Sequence, residues 1–294
     1  MGAAAAPGLL DRFLLLRSTY TALKRHRRDR RMLATADAVV VSFPKSGRTW
    51  VRVMLSRLCQ IEWGLPDTAL LEFDNLHARD ARVPRVLFTH DVDAMVPAAR
   101  LPADKSHYVG RPVTLLSRHP ADIAVSRHSH LRHRSRDRAR RRLAQAPLAE
   151  FVWSDYGGLP AIVMFLNQWA AAARAHPGIT IQRYEDFIAD PQAALALLAR
   201  NIGIPANSAA IEDAVAFASF QNLKKKEAEG FFDNDRLRPR KAAEANSFKV
   251  RSGKAGGWTA QFEPEEAARI ADYIARNLDP VFGYGTRQAA REAR

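Results

Sequence analysis

The chain has 294 residues, 47% of them hydrophobic, and a formal net charge of +14. That size suits one large α/β domain or two small ones, and the single cysteine, Cys59, excludes an internal disulfide and any cysteine-based metal site. The charge is uneven: residues 1–31 hold eight Lys/Arg against two Asp and residues 132–142 hold seven Arg against one Asp, which excludes a globally basic nucleic-acid-binding surface, so no specific nucleic-acid binding is expected.

From the N-terminus, Leu9, Phe13, Leu16, Tyr20 and Leu23 recur at helical spacing and predict an amphipathic helix with a basic end over Lys24–Arg31. No basic segment leads into a clean apolar core with a small-residue cleavage site, so no signal peptide is expected. The Phe13–Leu16 run between Arg12 and Arg17 is far too short to cross a bilayer. Residues 1–36 therefore read as a basic amphipathic arm. Three roles stay open for it: a helix packed on the domain, a partly disordered arm, or peripheral contact with an anionic membrane. A cytoplasmic location is expected.

Residues 37–43 read as a buried strand and residues 49–61 as the helix that follows, with Cys59 in its apolar pattern as a structural thiol. After a mixed loop region, 85–90 and 112–117 read as further short strands. Pro120 sits at a first helical position with Asp122 in the first turn, which predicts a helix to about His130. The Arg-rich stretch 132–142 then reads as a solvated mobile insertion, a lid that gathers anions, or a site for an acidic glycan or membrane surface. A helix over 159–175, a strand over 179–183 and helices over 193–202 and 209–220 follow. Residues 221–257 show no clear periodicity, and a last helix covers 264–278.

Alternating strands and helices predict an α/β fold in three layers, a central parallel sheet flanked by helices. Ligands of such sheets sit at the carboxyl ends of the strands, and the motifs at Lys45, His90 and Arg118 all begin at strand ends. The main domain is placed at 37–283, with 284–294 as a C-terminal tail.

The most informative stretch is Val39-Val-Val-Ser-Phe-Pro-Lys-Ser-Gly-Arg-Thr-Trp50. A strand feeding a short loop and then a helix directs backbone N–H groups and the positive end of a helix dipole at one point. Lys45, Arg48, Ser46 and Thr49 add cations and hydroxyls there. This is a P-loop-like phosphate site, but not the nucleoside-triphosphate loop G-x-x-x-x-G-K-[ST], because the lysine precedes the one glycine, Gly47.

The order P-K-S-G-[TR]-T-W resembles the 5′-phosphosulfate loop of the sulfotransferases that use 3′-phosphoadenosine-5′-phosphosulfate (PAPS), and the resemblance extends across most of 37–283. It implies that Lys45, Ser46, Gly47, Arg48 and Thr49 hold the donor's 5′ end, with Arg48 standing where many relatives have threonine. Arg118-His-Pro-Ala-Asp-Ile-Ala-Val-Ser126 is similar to the family's 3′-phosphate motif, which assigns a forked contact to Arg118 and a hydroxyl to Ser126. Val250-Arg-Ser-Gly-Lys-Ala-Gly-Gly-Trp258 is similar to the signature R-K-G-x-x-G-x-W. It implies that Arg251, Ser252 and Gly253 complete that grip, with Ser252 in place of the usual lysine. For the adenine, the resemblance points to Trp50, Tyr184, Ser219 and Phe220, whose aromatics are equally readable as core residues.

Between the phosphate motifs, Phe88-Thr-His90 ends a strand where the family has a catalytic histidine, commonly in K-T-H. An acceptor hydroxyl is a poor nucleophile until its proton is taken, and an imidazole suits that task. Phe88 replaces the lysine of many relatives, which leaves more charge stabilisation to Lys45. The implied reaction is in-line transfer of a sulfuryl group from PAPS to a hydroxyl or amine of a small-molecule, lipid or carbohydrate acceptor. His90 is the expected base and Lys45 stabilises charge, with no metal required. Two other classes stay open at this point: a nucleoside-triphosphate-dependent kinase, and a catalytically silent nucleotide-binding module. The acceptor has no readable code. Trp63, Phe73, Phe151, Trp153 and Tyr156 fit an apolar acceptor cleft or the core.

Overall fold

The computed structural model describes residues 24, 26–91, 96–135, 137–234, 237 and 255–284. Strands β1 (Ala38–Val41), β2 (Val86–Thr89), β3 (Val113–Ser117) and β4 (Ile179–Arg183) form one sheet in the order β2-β1-β3-β4, with every neighbouring pair parallel. The chain leaves β1 for one edge and then crosses to the other, so the carboxyl ends of β1 and β3 border the crevice where the strand order reverses. Open α/β sheets bind ligands at such a point.

Ten α-helices follow β1 among the described residues: α1 (Arg48–Trp63), α2 (Pro120–Arg134), α3 (Arg138–Leu143), α4 (Leu148–Phe151), α5 (Leu159–Ala175), α6 (Tyr184–Ala189), α7 (Pro191–Ile202), α8 (Ser208–Phe217), α9 (Phe220–Ala228) and α10 (Pro264–Asn277). Successive strand side chains point to opposite faces, and the apolar residues divide accordingly. Val39, Val41, Val113 and Leu115 pack against Ile123 of α2, Phe165 and Trp169 of α5, and Ile270 and Ile274 of α10. Ala38, Val40, Val86 and Leu116 pack against Met54 and Leu55 of α1, Leu195 and Leu198 of α7, and Ala214 of α8. Each fully buried large apolar side chain contributes roughly 1.5–3 kcal/mol, so both helical layers are firmly attached. This is the three-layer α/β arrangement expected from the alternation of elements. Cys59 is buried in the second core, and desolvation pushes its thiol up to about 12, as befits an inert structural cysteine.

Several local expectations are revised. The helix beginning at Pro120 runs to Arg134, and the Arg-rich stretch carries a helix of its own, α3. A small separate core of Leu131, Ala144 and Phe151 anchors this region, which explains why it folds despite its charge. The helix expected over 209–220 is two, α8 and α9, parted at Ala218 and Ser219, where Ser219 has extended rather than helical dihedrals. The run Lys224-Lys-Lys226 masks the buried face of α9, which is carried by Leu223 and Glu227.

Residues 26–33 are helical, and Leu33 lies in the first core. Asp29 accepts a hydrogen bond from Thr89 Oγ1 at 2.8 Å. This part of the basic arm therefore packs on the domain, while the apolar series Leu9 to Leu23 lies outside the described residues. No described helix is long and apolar enough to cross a membrane.

Candidate active site

The loop between β1 and α1 is built with backbone conformations that side chains rarely adopt. Lys45 has φ 85° and Gly47 has φ 89°. A left-handed non-glycine residue costs roughly 1–2 kcal/mol, and such strain gathers at functional positions. Gly47 is required on a second ground: a Cβ there would lie 2.3 Å from Cδ2 of Tyr184. As the N-cap of α1 it adds no capping side chain, and the positive end of the helix dipole faces the loop. The Ser46 hydroxyl is buried and donates to the Phe43 carbonyl at 3.0 Å, closing the turn.

Strand register places the other motifs. Val41 pairs with Thr89, so the next residues, Ser42 and His90, come side by side. His90 Nδ1 lies 2.6 Å from the Ser42 carbonyl oxygen, and His90 Nε2 lies 2.8 Å from Arg48 Nη2. A carbonyl only accepts and a guanidinium only donates. Nδ1 therefore carries the proton, Nε2 offers the lone pair, and the imidazole is neutral. Ser117 pairs with Arg183, so Arg118 comes beside Tyr184, with its guanidinium carbon 4.4 Å from the ring centroid. Arg118 Nη1 also donates to the Lys45 carbonyl at 3.3 Å. Lys45, Gly47, Arg48, His90, Arg118 and Tyr184 thus meet at one crevice.

Trp50 stands edge-on to Tyr184, with centroids 5.7 Å apart, and its indole N–H donates to the Ala218 carbonyl at 2.8 Å. That contact brings the α8–α9 junction, with Ser219 exposed and Phe220 half-buried, next to Trp50. Burial pushes the Tyr184 hydroxyl above its ordinary pKa, opposed by Arg118. Thr49 is half-buried in the first turn of α1, and Ser126 is half-buried two turns along α2. Arg251, Ser252 and Gly253 lie outside the described residues.

Four further groups carry the site without having been singled out in the sequence. Asp122, one turn after Arg118 and nearly buried, lies 3.8 Å from the Arg118 guanidinium and accepts from the Gly256 N–H at 2.8 Å. Desolvation pushes its carboxyl above the usual range, while Arg118 and the backbone N–H groups of Gly256 and Trp258 pull it down. Trp258 stacks on His119 with centroids 5.3 Å apart and planes 13° off parallel. Burial and the neighbouring Arg118 hold the His119 imidazole down to about 4, so it is neutral. The segment that directly follows Arg251–Lys254 is therefore docked against the start of α2, beside Arg118.

Asp91, directly after His90, forms a buried ion pair with Lys105 at 2.7 Å, and its other oxygen accepts from the Tyr108 hydroxyl at 3.0 Å. Both charged side chains are 1% exposed. Arg52, one turn after Arg48, lies 4.0 Å over the Phe88 ring and pairs with Glu72 at 2.9 Å. A cation therefore stands beside the position where the sequence lacks lysine, although Glu72 balances its charge. The sequence signals for these groups were weak: an acid in a helix first turn, a histidine next to a motif arginine, an arginine in an apolar helix. Of the aromatic residues read as cleft or core, Phe151 is core, whereas Trp63, Phe73, Trp153 and Tyr156 are half-buried.

A parallel α/β sheet with a cationic strand–loop–helix at its switch point defines an anion-binding domain of the group-transfer kind. The family described as "Sulfotransferase domain" matches residues 35–282, and the chain belongs to that family. Among solved structures, mouse sulfotransferase SULT7A1 complexed with PAP superposes with a TM-score of 0.55 at 19% identity, covering 85% of this chain and 88% of that one. Retinol dehydratase in complex with androsterone and inactive cofactor PAP gives 0.56 at 20% identity, covering 82% and 80%. Retinol dehydratase in a complex with retinol and PAP gives 0.53 at 18%, covering 83% and 81%. These likenesses show the same fold. No curated protein sequence matches the chain at a significant level.

Proposed function

We propose that this sulfotransferase takes its sulfuryl group from PAPS and passes it to an acceptor hydroxyl or amine, with His90 as base. The observation that carries the reading is the convergence of the Lys45 loop and Arg118 on one crevice, where Arg118 Nη1 reaches the Lys45 carbonyl at 3.3 Å. The residues present fit a bisphosphorylated adenosine. The lysine and arginine of the loop and a second arginine stacked on an aromatic ring supply two cationic grips and a flat surface.

The donor, when bound, supplies a sulfuryl group on a phosphate leaving group. Lys45, Ser46, Gly47, Arg48 and Thr49 hold the 5′ end. Arg118 and Ser126, with Arg251, Ser252 and Gly253, hold the 3′-phosphate. Trp50, Tyr184, Ser219 and Phe220 hold the base. Lys45 offsets negative charge that builds on the leaving oxygen, and the loop restrains the reacting groups in line. His90 is neutral with Nδ1–H fixed on Ser42, so Nε2 is the atom that takes the acceptor's proton.

The neighbours crystallised with androsterone and with retinol are complexed with hydrophobic small molecules. An apolar small molecule is accordingly the first acceptor class to screen here, with lipids and carbohydrates next. The reading is tested by heat stabilisation. Adenosine 3′,5′-bisphosphate is expected to stabilise the protein strongly and ADP with magnesium only weakly; the reverse preference would replace sulfuryl transfer with a kinase. A screen with radiolabelled donor then identifies the acceptor.

A further inference from the structure

Arg48 and His90 present a conflict that the reaction must resolve. The Ser42 carbonyl accepts from Nδ1 at 2.6 Å, which leaves His90 a single lone pair, on Nε2. Arg48 Nη2 donates to that same nitrogen at 2.8 Å. A nitrogen lone pair that holds a guanidinium proton cannot take a proton from an acceptor hydroxyl. His90 therefore works as a base only after Arg48 has left Nε2.

Arg48 has a reason to leave. It is the first residue of α1, next to the left-handed Gly47, at the positive end of the helix and in the loop that gathers the donor's 5′ anion. A guanidinium hydrogen-bonds an oxyanion more strongly than a neutral imidazole, and it does so in a fork. We propose that Arg48 is a donor-operated cap on the catalytic base: it occupies His90 Nε2 until the donor's phosphosulfate claims it, and so ties proton abstraction to donor binding. A threonine at position 48 has no comparable reach, so this coupling belongs to the arginine form of the loop. Arg48 holds the donor's 5′ end, and its effect on proton abstraction is exerted through His90, for which it is a positioning residue. The consequence is an order of events. An acceptor that enters first meets a capped base, and acceptor activation follows donor binding.

This inference rests on the PAPS reading, and its test separates the two. The full-length protein is labelled with ¹⁵N-histidine, and the His90 resonances are assigned by their loss in His90→Gln. The expected spectrum of the unliganded protein is a neutral Nδ1–H tautomer whose Nε2 resonance is shifted as for a hydrogen-bonded acceptor. Saturating adenosine 3′,5′-bisphosphate, with binding followed by calorimetry, moves Nε2 to the position of an uncapped acceptor while Nδ1–H stays. In Arg48→Thr, Nε2 starts at the uncapped position and the bisphosphate leaves it there. In Arg48→Lys part of the shift returns.

Binding heat with an unmoved Nε2 resonance in the wild type overturns the cap and leaves the donor reading standing. Absence of binding heat overturns both. An Nε2 already at the uncapped position in the unliganded wild type overturns the cap as well. Each wild-type outcome decides without depending on the folding of a variant.

Discussion

Substituting Gly47 by alanine separates the two demands that the loop places on that position. At φ 89° an L-residue is strained by roughly 1–2 kcal/mol. The new Cβ would also lie 2.3 Å from Cδ2 and 2.7 Å from Cε2 of Tyr184, where ordinary carbon contacts are about 3.5–4.0 Å. The ring has to move by more than about 1 Å, which weakens its edge contact with Trp50 and the Arg118 stack, each worth roughly 0.5–1.5 kcal/mol. The expected total is about 2–4 kcal/mol.

Gly203→Ala is the control. Gly203 has φ 78° at the end of α7, and nothing stands within 4 Å of its added Cβ, so it bears the strain alone. Chemical denaturation should show Gly47→Ala losing at least about 1 kcal/mol more than Gly203→Ala. Displacement of Arg118 should weaken adenosine 3′,5′-bisphosphate binding roughly 10- to 100-fold in Gly47→Ala, equivalent to losing a charged hydrogen bond, and leave it unchanged in Gly203→Ala. Equal stability and equal affinity in the two variants would refute the role given to the Tyr184 contact.

Three more outcomes are expected. His90→Gln keeps bisphosphate affinity within about twofold and loses roughly 100-fold or more in turnover, as befits a general base; unchanged turnover removes His90 from that role. Lys105→Met leaves the buried Asp91 charge without its ammonium partner and costs about 3–5 kcal/mol by denaturant titration, whereas Asp91→Asn with Lys105→Met recovers much of that loss. A cost under about 1 kcal/mol for the single variant contradicts the pair's structural role. His119 gives a pH signature. Its folded-state pKa is held down to about 4, so between about 6.5 and about 4 the unfolded chain binds a proton that the folded chain refuses. The stability of the neutral buried imidazole is complete above that window and is lost as pH falls through it, by up to about 3 kcal/mol. His119→Gln removes that part of the acid slope; superimposable slopes in the two proteins contradict the assignment.

Much of the fold was legible because two periodicities dominate it. Runs such as Val39-Val-Val41 and Val113-Thr-Leu-Leu116 are apolar on both faces, which is what a sheet covered by two helical layers requires. The loop at Lys45 was readable because its cations, hydroxyls and glycine are contiguous. The α8–α9 break was not, since Ala218 is set by a partner distant in sequence, the Trp50 indole N–H that its carbonyl accepts. Asp122 looked like a helix first-turn acid, and nothing local shows that it holds Gly256 far along the chain. The Arg48–His90 contact depends on the register of β1 against β2 and on a helix start, neither of which a motif encodes. Long-range polar pairs therefore account for most of what the sequence left unread.

The central claim is that two cationic grips hold opposite ends of one adenosine carrier, and calorimetry with two ligands tests it directly. The wild type should bind adenosine 3′,5′-bisphosphate at least about 100-fold more tightly than AMP, which lacks the 3′-phosphate, a margin of about 2.7 kcal/mol. In Arg118→Met that margin should shrink below about tenfold while AMP binding barely changes. Equal affinity for the two ligands in the wild type, or a loss in Arg118→Met that falls equally on both, would contradict the account.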